Sequence, residues 1–184
     1  LSFPVMVIFT HLYNISMNRL LLYLFFFLSG FSALVYEIIW TRKMALIFGN
    51  TPYAVSSVLA IFFGGLAIGS FIAGKFIRIS DSSKDTPIIK LYAFIELGIG
   101  FLALLTLLFF PLISALPSPP TISAISILTT LLYSIVVLLP PTILIGMTLP
   151  VMVMLVESIT RNSNQESLAA ITGKIYAINT LGSV

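Results

Sequence analysis

From Leu20 to Trp40 the only charged residue is Glu37, and a run of that length is enough to cross a hydrocarbon core. This run narrows the fold more than any other feature. Backbone amides in lipid must be satisfied inside their own segment, so an apolar run of this kind reads as a transmembrane helix. Three further apolar stretches follow it. Segment two covers about 53–76, segment three about 88–110, and a fourth region lies between Thr121 and Ile159. Across the 184 residues 59% are hydrophobic and 8% charged, with a mean hydropathy of +1.13, well outside the range of soluble domains. The expected fold is therefore all-α, a polytopic transmembrane helical bundle of about four complete spans plus the start of a fifth.

Composition also removes whole classes of chemistry. The chain has no cysteine and one histidine, which excludes disulfides, thiolate nucleophiles and the usual Cys/His metal sites. Its nine basic residues sit in short connections rather than in a patch with exposed aromatics, so nucleic acid is not an expected partner. The expected surroundings are the lipid bilayer together with other transmembrane chains or a second copy. No cofactor is expected in this chain.

Charge placement gives a topology. Lys75 and Lys90 flank the most polar stretch, RISDSSKDTP, which itself carries Arg78 and Lys84, and the positive-inside bias places that 78–90 loop and the amino end on the inner side of a prokaryotic cytoplasmic membrane. Residues 1–18 read as an amino-terminal extension, because Met17-Asn18-Arg19 stands where a translation start would fall. The bundle proper is 19–184, and the chain is expected to be truncated at its carboxyl end. Gly49-Asn50-Thr51-Pro52 is a turn signal with proline placed to open the next helix.

The fourth region holds Pro140, Pro141 and Pro150, each of which removes a backbone donor. Two readings compete, one broken span or two separate ones. One span returns Arg161 and Lys174 to the inner side, and this favours a single fourth span broken at Pro140-Pro141. A fifth helix is expected from Gly173.

Gly65, Gly69 and Ala73 stand four residues apart, the spacing that lets another helix approach closely. Helix packing is the preferred reading, ahead of a glycine-lined substrate path. GIGFLA at 98–103 matches a dinucleotide fingerprint in letters only, since no strand precedes it. Ala73-Gly74-Lys75-Phe76 lacks the residues of a phosphate loop. The two intramembrane acids, Glu37 and Glu96, are the principal functional candidates, because ionisable groups at such depth are costly. If both helices start at the inner face, the two differ in depth by roughly 14 Å, too far to share a proton or ion. Gly30, Ala33, Glu37 and Trp40 share one face, as do Ala93, Glu96, Gly100 and Ala103, so each acid lies on a small-residue side expected to turn toward other helices. A structural hydrogen-bonding role and a transport or substrate role are both open to them.

Four blocks in order, LSGFSALVYEIIWTRKMALIFGNTPYAVSSVLAIFFGGLAIGSFIAG, LYAFIELGIG, LLPPTILIGMTLP and GKIYAINTLGSV, resemble the amino-terminal membrane region of spermidine-synthase-like proteins, in which a major-facilitator-like membrane domain is fused to an aminopropyltransferase domain. The resemblance covers roughly 20–184. It implies a non-catalytic membrane module that anchors or serves an aminopropyltransferase domain absent from this chain. If the chain is part of a longer enzyme, it implies a polyamine aminopropyltransferase, with a polyamine as substrate. No catalytic or cofactor residue carries over. The positions matching the membrane signature are Tyr36, Glu37, Trp40, Arg42, Asn50, Glu96, Pro140, Pro141, Asn179 and Gly182. An accessory subunit of a larger membrane complex and a transporter-like half-bundle for a cationic substrate are the alternatives.

Overall fold

The computed structural model describes residues 3–48, 52–80, 88–114, 124–160 and 167–184. They form five α-helices in chain order: α1 Phe3–Phe48, α2 Pro52–Ser80, α3 Ile88–Ser114, α4 Ala124–Thr160 and α5 Leu168–Gly182. Among the described residues every regular element is helical. Four stretches among the described residues are long and apolar enough to cross a membrane, Leu20–Leu46, Val55–Phe76, Ile88–Pro111 and Leu131–Ser158. The protein is an integral membrane protein of helical-bundle type.

Helix α3 shows how burial is arranged. Phe94, Leu97, Phe101, Leu104 and Leu108 repeat at intervals of three and four, and all are exposed, Phe94 by 72%. The opposite side carries Tyr92, Ile95, Ile99, Ala103, Thr106 and Phe110, all buried. A stripe of large exposed apolar side chains would drive aggregation in water, whereas in a bilayer it is the lipid-facing side. Because lipid is as apolar as leucine, cohesion inside the bundle must come from close packing and interhelical hydrogen bonds rather than from the hydrophobic effect.

The chain divides into two compact units, residues 33–151 and residues 1–32 with 152–184. In the 33–151 unit, Trp40 and Met44 from α1, Val58, Ile61 and Phe62 from α2, Ala103 and Phe110 from α3, and Val137 and Leu138 from α4 make one buried cluster. Trp40 is its polar anchor: its indole nitrogen donates to Thr106 Oγ1 at 3.0 Å, and Thr106 donates onward to Ala103 O at 2.6 Å. This chain satisfies a buried N–H that would otherwise be orphaned in an apolar interior.

Helices α2 and α4 cross at their glycines. A Cβ added at Gly65 would run into Thr142 Oγ1, one at Gly69 into Ile143 O, and one at Gly146 into Leu66 O. Backbones in such contact leave room for hydrogen at those positions only. The fourth region is one element and one span. The helix runs without interruption through the expected break at Pro140-Pro141, and what the prolines remove is part of the hydrogen-bond ladder, since Pro140, Pro141 and Pro150 lack the amides that would reach Val136, Val137 and Gly146. Ser70 on α2 donates to Gly146 O at 2.9 Å and so takes up one of the freed carbonyls. Thr142 Oγ1 lies 2.8 Å from Leu138 O and 3.0 Å from Leu139 O, the back-bonding that commonly bends helices.

In the other unit, α5 packs on α1 by the same device. Gly30 meets Asn179, both its backbone oxygen and its Oδ1, and Gly182 meets Phe27 O. Ile171 and Ile175 are buried there. The sequence placed the start of this helix at Gly173. The structure moves it to Leu168, capped by Ser167, whose hydroxyl accepts from the Ala170 amide at 3.3 Å. The correction has a simple cause: serine before an apolar stretch is an N-cap signal, and Gly173 is an interior helical glycine with open space beside it. Helix α1 likewise extends further than the apolar run, its backbone being helical from Phe3 through residues set apart as an extension.

Candidate functional site

Glu37 and Glu96, and what the fold does with each, define the candidate site; a further carboxylate, Glu157, is exposed at the very end of the Leu131–Ser158 span. Glu37 lies on the last third of α1. It lines an open groove of about 620 Å³ together with Leu34, Ile38, Thr41, Arg42, Ala45 and Leu46 of α1 and Val55 and Leu59 of α2. Helical geometry sets the layout. At 3.6 residues per turn, Thr41, Leu34, Ala45 and Ile38 fall between Glu37 on one side and Arg42 about 140° round the axis on the other. The acid and the base therefore stand on opposite sides of a strip that is apolar apart from Thr41, about 7.5 Å apart along the axis. Five residues is not a pairing interval on a helix, and no ion pair joins these two among the described residues.

Glu96 is placed differently. It is half-buried on α3, and its Oε1 is fully enclosed without a hydrogen-bond partner in the structure. On the same side Gly100 has no neighbour within 4 Å of where a Cβ would stand, while Gly98 approaches Leu144 Cδ1 of α4. An enclosed oxygen without a partner costs free energy, of the order of 1 to 3 kcal/mol for a neutral group. Glu96 does not line the Glu37 groove.

The remaining sequence candidates separate in the same way. Tyr36 stacks on Trp40 with ring centroids 5.5 Å apart and planes 17° apart, and Trp40 meets Phe62 at 6.5 Å. Trp40 is 1% exposed and thus a core residue. Arg42 is exposed at the groove, whereas Asn179 packs against Gly30 in the other unit. Gly65 and Gly69 face α4, and Ala73 is buried. Pro141 is buried, Pro140 exposed and Pro150 intermediate. Asn50 lies outside the described residues, as does most of the 78–90 loop. Among the described residues no three or more His, Cys, Asp or Glu side chains come together as a metal site.

Sequence reading missed Ser70, Thr106 and Thr142. Pro150 does announce that Gly146 O needs another donor, but nothing along the chain names Ser70 as that donor. No protein-family model matches the chain, and no curated protein or solved structure matches it.

Proposed function

We propose that the chain is a non-catalytic membrane module of the spermidine-synthase-like kind, which anchors or serves an aminopropyltransferase domain. The observation that carries this reading over a carrier is the filled α2–α4 crossing. A glycine-lined path would need free space along Gly65 and Gly69, and Thr142 and Ile143 occupy it. Around it, Trp40, Met44, Phe62 and Leu138 fill the interior of the 33–151 unit. A packed scaffold of this type suits a part that holds other machinery in place. The four ordered sequence blocks supply the link to aminopropyl transfer, and the polyamine is a substrate of the served domain. On the same reading the amino end and the 78–90 loop face the inside of a prokaryotic cytoplasmic membrane. The cysteine-free chain suits single-cysteine accessibility labelling at Ser82 as a check of that orientation.

The test is purification of the tagged chain from its own membranes in mild detergent, with an assay for aminopropyl transfer from decarboxylated S-adenosylmethionine to putrescine. Activity that stays with the chain supports the reading. Partner chains without that activity would move it to an accessory subunit. Uptake of labelled polyamine by proteoliposomes holding this chain alone would replace it with a carrier.

A further inference from the structure

We propose that the Glu37–Arg42 groove is a binding site for a phospholipid whose headgroup carries a primary ammonium beside its phosphate, as in phosphatidylethanolamine. The proposal is independent of which catalytic domain the module serves. It rests on three properties of the groove: its position, its charges and its walls.

The Leu20–Leu46 span is about 40 Å long, some 10 Å more than a hydrocarbon core. Arg42 and Lys43 stand at its carboxyl end, both exposed, and hydrated cations hold that end near the headgroup layer. The groove is therefore open to the bilayer close to an interface. Helical side chains lean toward the helix amino end, and the Arg42 chain, being longer than that of Glu37, reaches further back along the axis and shortens the offset between the two charges. A headgroup lying across the strip meets a guanidinium on one side and a carboxylate on the other.

That pair of charges selects the occupant. Arginine recognises a phosphate through its fork of donors, and a carboxylate accepts charge-assisted hydrogen bonds from an ammonium. An anionic lipid would satisfy Arg42 and be repelled by Glu37. A free polyamine would satisfy Glu37 and be repelled by Arg42. Choline headgroups carry the right charges but have no N–H to donate. The lining between the two charges is Thr41, next to Glu37, and then Leu34, Ala45 and Ile38, faced by Val55 and Leu59, and its aliphatic part suits glycerol and the upper acyl chains. Its volume, about 620 Å³, lies within the range of small-molecule sites, and the rest of the lipid remains in the bilayer.

The test uses the full chain in detergent, with palmitoyl-oleoyl phosphatidylethanolamine, phosphatidylcholine or phosphatidylglycerol added at equal concentration and bound lipid counted by native mass spectrometry. Wild-type protein is expected to retain the ethanolamine lipid about tenfold better than the other two, the ratio for one charge-assisted hydrogen bond. Glu37→Gln is expected to abolish the preference while still taking up lipid, and Arg42→Gln to lower uptake of all three. Equal uptake of the three lipids by wild-type protein overturns the proposal, and needs no variant to fold. So does an unchanged preference in Glu37→Gln, or displacement of the ethanolamine lipid by spermidine.

Discussion

The hydroxyl of Ser70 on α2 donates to the carbonyl oxygen of Gly146 on α4 at 2.9 Å, and that carbonyl is the one Pro150, four residues later, has no amide to reach. One helix thus repairs the ladder of another, at a crossing already held close by Gly69 and Gly146. In a bilayer, where water cannot take up the freed oxygen, such a repair explains how a proline is tolerated in mid-span.

Ser70→Ala should therefore destabilise the protein by about 0.6 kcal/mol and by no more than about 1.7 kcal/mol, the average and the maximum for interhelical hydrogen bonds in membrane. Pro150→Ala restores an amide to Gly146, so the same serine change should cost less in that background. Reversible unfolding in mixed micelles of the four proteins in this cycle measures the coupling. Equal cost in both backgrounds would show that Ser70 and Pro150 act independently.

The close crossing makes a second contrast. Gly69→Ala drives a methyl into Ile143 O and should cost about 1 to 3 kcal/mol, as other overpacked sites do. Gly64→Ala, on the same helix with nothing within 4 Å, should cost nothing and raise helix propensity. The two unfolding midpoints should separate clearly. If they coincide, the crossing is looser than the backbone contacts require.

Trp40 is the sole tryptophan, so the Trp40–Thr106 hydrogen bond has its own optical reporter. At 1% exposure its emission should be blue-shifted and poorly quenched by acrylamide. Thr106→Val leaves the indole N–H without its acceptor and should cost about 1 to 3 kcal/mol, the penalty of an unsatisfied buried donor. Emission that is already red-shifted and readily quenched in the wild-type protein would remove Trp40 from the core.

The spans could be read from the chain because lipid imposes one rule, internal satisfaction of every amide, which long apolar runs announce directly. The Gly65-Gly69-Ala73 spacing was similarly readable, since only small residues let backbones touch. Two things were not. The start of α5 at Leu168, capped by Ser167, is not legible beside the more conspicuous Gly173, because a cap is a local hydrogen bond carried by one polar residue amid several. The separate settings of Glu37 and Glu96, one in an open groove and the other with an enclosed oxygen, depend on which helices lie alongside, and helical periodicity gives a face but not its neighbour.

Glu96 yields the last prediction. Its Oε1 is enclosed without a partner, so the carboxyl contributes a cost that an apolar side chain of similar length would not. Glu96→Met should then leave the unfolding midpoint unchanged or raise stability by about 1 kcal/mol, since apolar replacement of a buried polar group is often neutral or favourable. Glu96→Gln keeps a polar atom in the same enclosure and should show no such gain. A stabilising methionine that also impairs the activity found with the purified protein would mark Glu96 as a residue retained for function at the expense of stability. A loss above about 1 kcal/mol in Glu96→Met would instead mean that Oε1 is held by a hydrogen bond whose removal leaves another polar group stranded.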